Sequence, residues 1–377
     1  MLRGSLFTVT VLLAALMATP ALAASKINSE QGAFTVETVA EGLKSPWGLV
    51  FLSDGQMLVT EKPGTLRIIQ ADGTLGAPLE GLPEIAARGQ GGLLDVTLDP
   101  DFANNKLVYF SFSEPGEGGS STAVARGVLN DDRLDNVEVI FSQKPKVRSN
   151  GHFGSRLIFA NDGALFVTLG DRQQDFNIAY PQKLDNHIGK VVRINSDGSV
   201  PEDNPYVGKD GLDEIWSYGH RNIQGAVLHP QTGELWTNEH GPQGGDEINI
   251  ARATLNYGWP IITYGEQYGG GKIGIGTHKE GMEQPLYHWV PSIATAGMTF
   301  YTGDAFPDWK GNLFVTGLRG QVLSRLVVEG EQVKHEERLL TDAVGKRLRH
   351  VVQGPDGFLY LLTDESNGEI LRLKPAR

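Results

Sequence analysis

Six copies of one hairpin pattern predict an all-β protein, folded as a six-bladed β-propeller of four-stranded antiparallel blades. Two further observations support this reading. The strand-like runs alternate with period two between Asp-Gly or similar turn pairs, and no stretch carries the apolar spacing of a long helix. One hairpin cannot bury both faces, whereas blades packed around an axis can. A large β-sandwich would give no reason for six similar hairpins.

The copies follow in order. The first runs over 47–51, turns at Ser53-Asp54-Gly55 and returns over 57–61. The second covers 92–96 and 107–110, with Asp99-Pro100-Asp101 between them. The third pairs 156–159 with 165–168 across Asn161-Asp162-Gly163, and the fourth pairs 226–228 with 235–237 across Gln231-Thr232-Gly233. The fifth joins 298–300 to 313–316 through Asp308-Trp309-Lys310-Gly311. The sixth joins 350–352 to 359–362 through Pro355-Asp356-Gly357. Return strands end in Thr or an acid. The uneven spacing predicts long loops between blades, notably over 114–121 and 173–185, and no interior linker suggests a second domain.

Composition agrees. Of 377 residues, 40% are hydrophobic, enough for a large core, and 48 Gly with 19 Pro supply many turns. A net charge of −12 disfavours nucleic acid and anionic membranes and leaves small neutral ligands open. The N-terminus reads as a secretory signal: Arg3, an apolar stretch over 6–17, then Pro20 and a cleavage site at Ala21-Leu22-Ala23. That apolar run is short for a membrane anchor. The expectation is a cleaved leader over 1–23, a single catalytic domain over 24–377, a periplasmic location and no membrane insertion after cleavage. The absence of cysteine means that export brings no disulfides.

Polar residues recur at one position of the repeat, just before the first strand of a hairpin: Gln90, His152, Arg221-Asn222, and Arg347 with Arg349. In a propeller these loops converge at one end of the axis, so they predict one shared site. The stretch 214–260 adds the densest run of polar groups. A neutral imidazole at His152 suits a general base, although a histidine there could instead bond a neighbouring blade. Arg347 and Arg349 lie on one face of a strand, and Arg319 adds a third cation from the fifth copy. Two adjacent guanidinia repel, so an anionic ligand with several carboxylates is expected unless surface acids pair with them. Asp246, Glu247 and the carbonyls around Gly241 are hard oxygen donors that suit Ca2+ better than a transition metal.

The motifs Gly151-His152, Gly219-His220-Arg221-Asn222-x-Gln224-Gly225, Glu239-His240-Gly241-Pro242-x-x-x-Asp246-Glu247-Ile248-Asn249 and Asn256-Tyr257-Gly258-Trp259-Pro260 occur in that order. Together they resemble the soluble pyrroloquinoline quinone (PQQ)-dependent aldose sugar dehydrogenases of the glucose/sorbosone dehydrogenase family, over nearly the whole mature chain. The resemblance implies a six-bladed propeller that oxidises an aldose to its lactone and passes electrons to an external acceptor. It implies that His152 is the base, that Asp171 orients it, and that hydride passes to PQQ. It further implies that Arg221 and Asn222 contact the quinone edge, with Gln90 as another polar contact and Tyr264 flanking the cofactor. Arg319, Arg347 and Arg349 match the positions that bind its carboxylates. The carbonyls of Gly241 and Pro242 match ligands of the Ca2+ on the quinone, while Glu247 and Tyr257 match contributors to a Ca2+ site, either the same one or a separate structural one. Two departures, His240 where the glucose branch has Gln and Arg319 where it has Lys, weaken any expectation of strict glucose specificity. Monomer and dimer both remain open. The alternatives are a Ca2+-dependent propeller hydrolase of lactonase type and a non-catalytic propeller that binds proteins or glycans.

Overall fold

The computed structural model describes residues 26–376, so the leader expected over 1–23 lies outside the described residues. Six antiparallel sheets are present. Blade 1 comprises Pro46–Phe51, Met57–Glu61, Thr65–Ile69 and Leu75–Pro78, each strand bonded to the next. Blade 2 comprises Leu93–Leu98, Leu107–Gly116, Gly119–Leu129 and Leu134–Ser142. Blade 3 holds Gly154–Phe159, Leu165–Leu169, Lys190–Ile194 and Ile215–Tyr218. Blade 4 holds Ile223–Leu228, Leu235–Glu239, Asp246–Ile250 and Tyr287–Trp289, and blade 5 Thr295–Phe300, Leu313–Gly317, Val322–Glu329 and Gln332–Leu339. Each predicted hairpin is the inner pair of a blade. The innermost strands touch in sequence, and the last touches the first.

Blade 6 closes the ring. Leu348–Gln353, Leu359–Thr363 and Gly368–Pro375 supply three strands, and Gly32–Leu43 from the N-terminal end adds the fourth. Lys26–Ser29 pairs on the outside of that strand. The closing strand runs from Phe34 opposite Pro375 to Leu43 opposite Gly368. Phe34 is fully buried against Trp309, with ring centroids 5.6 Å apart, and Trp309 stacks on Phe306. Burying a phenylalanine contributes about 1.5–3 kcal/mol, so this contact anchors the closure between blades 5 and 6.

Apolar clusters fill the seams between blades; one joins Leu58 and Leu66 of blade 1 to Leu93, Phe110 and Phe112 of blade 2. Beneath the axis the seam is polar. The Arg156 guanidinium meets Asp95 at 2.9 Å, lies over the Trp47 ring at 4.0 Å and donates through Nε to the Gln224 carbonyl at 2.7 Å. It thereby joins blades 1, 2, 3 and 4.

Two loop expectations are corrected. Residues 114–121 are not a loop between blades, because strands Leu107–Gly116 and Gly119–Leu129 continue almost to their tip and pair Glu114 with Ser121. Pro115 is tolerated there because the strand extends past the ladder of its inner neighbour. Residues 173–185 are a long excursion, but within blade 3, between its second and third strands.

Candidate active site

His152 sits at the entry to blade 3 in a left-handed backbone conformation, φ 50°. The backbone is crowded there. A Cβ on Gly170 would lie 2.1 Å from the His152 carbonyl oxygen, so only glycine fits beside it. The main-chain N–H of His152 donates to Gln90 Oε1 at 2.7 Å, which ties blade 2 to the site. Its Nδ1 lies 2.6 Å from Asp171 Oδ1. Asp171 also accepts from the Gln173 N–H at 2.8 Å and, through Oδ2, from Trp259 Nε1 at 2.8 Å. With the carboxylate ionised, Nδ1 carries the proton and Nε2 keeps its lone pair.

Electrostatics reinforce that tautomer. Burial pulls the His152 pKa below its usual value, and the Arg221 and Arg172 charges add to the effect against the opposing pull of Asp171. Burial alone would raise the Asp171 carboxyl; the His152 and Arg221 charges and its hydrogen bonds instead hold it below the usual carboxylate range. The pair is thus a neutral imidazole on a fixed carboxylate, ready to accept a proton at neutral pH.

Beside the dyad a cavity of about 160 Å3 opens at the axis. Its lining includes Phe153 and Gly154, which follow the histidine, together with Lys62, Gln90, Gln224, Arg347, Arg349 and Asp364. The repulsion expected between the two arginines is relieved by Asp364, whose Oδ2 lies 3.0 Å from both Arg347 Nη2 and Arg349 Nη2. Arg349 Nη1 reaches Gln224 Oε1 at 3.0 Å. Even so, Nε of Arg349 and Nε of Arg221 are buried without an acceptor. Arg319 is placed differently from its expected partners: its side chain is exposed and outside the cavity lining.

Arg221 and Asn222 bridge the dyad and a second, smaller void. The Asp171 N–H donates to the Arg221 carbonyl at 2.7 Å, and Asn222 Oδ1 accepts from the Gly154 N–H at 3.2 Å. The Arg221 guanidinium lies 5.2 Å from the Trp259 ring and donates to the His240 carbonyl at 3.0 Å. The void, about 10 Å3, is bordered by Glu239, Gly241, Glu247 and Tyr257. Glu239 and Glu247 are direct partners across adjacent strands. Burial and the neighbouring Glu239 charge push the Glu247 carboxyl up to about 8. Glu239 is already used, accepting from the Arg221 N–H at 2.6 Å and meeting His220 Nδ1 at 3.0 Å, so Glu247, beside an ion-sized space, is the acid left for a hard cation.

Among the described residues no donor engages the Gly241 or Pro242 carbonyl. Asp246, by contrast, is already used: its carboxylate accepts from the Gly241 N–H at 2.9 Å and from Ser292 Oγ at 2.7 Å, holding the turn closed. The Tyr257 hydroxyl bonds the Ile250 carbonyl and accepts from the Arg252 N–H, while its ring stacks on His220 at 4.5 Å. That leaves its main-chain oxygen as the atom able to serve a cation. Tyr264 stacks on His288 at 3.9 Å and donates to Gln284, outside the lining of both cavities. His240 borders both; burial and the Arg221 charge drop its pKa to about 3, so it stays neutral and donates through Nε2 to the Thr295 carbonyl.

Lys62 and Asp364 were not anticipated. They follow the return strand of a hairpin, which comes back to the same end as the loop preceding its first strand. The recurrent Thr-acid ending, as in Thr60-Glu61-Lys62 and Thr363-Asp364, was the available signal.

A closed propeller with a buried His–Asp base beside a cation-lined axial cavity is the framework of an enzyme. The profile of the Glucose / Sorbosone dehydrogenase family matches residues 43–372, and the chain belongs to this family of oxidoreductases. It is 46% identical to aldose sugar dehydrogenase YliI of Escherichia coli, over 90% of this chain and 92% of that one. The solved apo-form of the soluble aldose sugar dehydrogenase from E. coli superposes with a TM-score of 0.88 at 45% identity, covering 91% of this chain and all (100%) of that one. The PQQ-bound aldose sugar dehydrogenase from Streptomyces coelicolor superposes with a TM-score of 0.74 at 27% identity, covering 90% and 98%.

Proposed function

We propose that the protein oxidises aldoses at the anomeric carbon to lactones, using PQQ and Ca2+ and delivering electrons to an external acceptor. The observation that carries this reading is the His152–Asp171 dyad set beside an axial cavity in which cationic side chains outnumber acids. The unpaired Nε donors of Arg349 and Arg221 suit a ligand bearing carboxylate and quinone oxygens. Arg347 and Arg349 would hold its carboxylates, Arg221, Asn222 and Gln90 its polar edge. The Gly241 and Pro242 carbonyls would hold the Ca2+ on the quinone, and Glu247 with the Tyr257 carbonyl would serve a Ca2+ at the smaller void. When bound, PQQ supplies the hydride acceptor that no side chain can provide, and Ca2+ supplies the Lewis acid that polarises it.

The chain's own residues do the rest. His152 Nε2 takes the proton of the anomeric hydroxyl. Asp171 stabilises the imidazolium that forms and fixes the ring, while Gln173 and Trp259 hold the carboxylate in place. The Arg221 cation stands beside the dyad, where it favours negative charge developing on a bound oxygen. A lactonase would require several side-chain carboxylates and amides converging on one metal; among the described residues no three His, Asp or Glu side chains are clustered that way. The leader-like N-terminus favours a periplasmic location.

The test is reconstitution: purified protein is titrated with PQQ and Ca2+ and assayed for aldose-dependent dye reduction. Turnover with at least one aldose, dependent on both additions, is expected. No retained quinone absorbance and no activity with any aldose would overturn the reading.

A further inference from the structure

Among the described residues, one cation in the axial cavity has no partner. Lys62, at the end of the second strand of blade 1, lines the same cavity as Arg347 and Arg349. Its main chain is fixed on both sides, its N–H donating to the Ser45 carbonyl at 3.1 Å and its carbonyl accepting from the Leu93 N–H at 3.1 Å. Its stem lies on Gly92, where a Cβ would come within 2.7 Å of Lys62 Cγ; the glycine, at φ 156°, leaves room for that stem. Among the described residues no acid or other acceptor lies within bonding distance of the ammonium. The adjacent Glu61 is engaged elsewhere, with Arg67 at 2.7 Å and the Lys44 N–H at 2.6 Å. Asp364, the acid in the cavity lining, is shared by both arginines. Three cations therefore face one carboxylate, in a protein of net charge −12. A lysine held this way gains nothing structurally from its charge; a polyanionic ligand would use it.

We propose that Lys62 is a ligand-binding residue: it supplies the third cation of the anion clamp, from blade 1, two blades round the ring from the one that carries Arg319, and contacts a carboxylate of the bound ligand. Resting on the cofactor reading above, it moves to Lys62 the role that the resemblance implied for Arg319, which the structure leaves outside the cavity.

The experiment measures binding by calorimetry, with PQQ and with the redox-inert benzene-1,3,5-tricarboxylate, on the wild type, K62M, K62R and R319M. Thermal melts verify that each variant is folded. K62M should bind PQQ roughly tenfold more weakly, with a shallower dependence on salt, as loss of one desolvated charge contact implies. K62R should recover most of the affinity, and R319M should lose less than K62M. Wild-type affinity in a folded K62M, or a larger loss in R319M, overturns the proposal. If K62M does not fold, K62R and a K62Q variant decide: affinity in the order wild type, K62R, K62Q supports the proposal, and equal affinities overturn it. Should the wild type fail to bind PQQ, the cofactor reading falls by itself. The inert tricarboxylate then decides for Lys62: binding that K62M weakens supports an anion-binding role, and no difference overturns it.

Discussion

In the proposed reaction His152 is the residue on which the chemistry turns, and its environment gives a pH signature. Burial favours the neutral ring, so the active form persists below the usual histidine pKa. In the reconstituted enzyme, kcat/KM should rise with pH and level off, with its midpoint below about 6.5. Asp171→Asn removes the charge that opposes this shift. It should move the midpoint lower still while reducing the rate, because the amide no longer enforces the tautomer. An unmoved midpoint in that variant would detach the titration from the dyad. His152→Ala should lower turnover by about two to four orders of magnitude while PQQ still binds; lost binding would instead make the residue structural. At the second void, Ca2+ should raise the melting temperature of the wild type. Glu247→Gln should blunt that increase, because the amide cannot supply the ionised carboxylate that the cation would draw from this raised-pKa acid. An equal increase in both proteins would place Ca2+ elsewhere.

Among the elements, the segment 149–154 is held from behind by one side chain. Arg172 is fully buried, donates to the carbonyls of Gly151 and Ser149, and lies 3.4 Å from the Phe153 ring centroid. Arg172→Met should leave those buried carbonyls unsatisfied, at about 1–3 kcal/mol each. Denaturant unfolding should show the loss, and kcat should fall more than cofactor affinity as His152 loses its position. Gly170→Ala makes a sharper test at the same place, since its Cβ would collide with the His152 carbonyl. An active, stable alanine variant there would contradict the packing described. The reading of elements from sequence succeeded where a strand and its turn are neighbours. It failed over 114–121, where the outward extension of two strands depends on what packs beyond the ladder rather than on local pattern.

At the scale of the whole molecule, the site exists only in the closed ring. Gln90 comes from blade 2, the dyad from blade 3, Arg221 from the entry to blade 4, and Arg349 with Asp364 from blade 6. Closure depends on a strand that lies more than 300 residues from its partner in sequence, with Phe34 opposite Pro375. Deleting residues 26–43 should therefore lower stability and cofactor affinity together, although no cavity residue is removed. Thermal melts and PQQ titration would reveal it, and unchanged affinity would show that the ring holds without its closing strand. Arg156→Met tests the axial pin from within: uncovering the buried Asp95 charge should cost about 3–5 kcal/mol.

The number of blades is legible in the chain alone, because each hairpin is a local pattern of alternating side chains and turn residues. The sequence also marked His152, Arg221 and Arg349, since polar groups at one repeat position stand out from an apolar background. How those groups are neutralised and positioned follows from the folded ring. Asp364 between two arginines, Glu239 opposite Glu247, Trp259 on Asp171 and Lys62 in the axial cavity are all contacts between distant segments. Their charges and orphaned donors acquire meaning only in the low-dielectric interior that ring closure creates, and no local period in the chain encodes which segments that closure brings together.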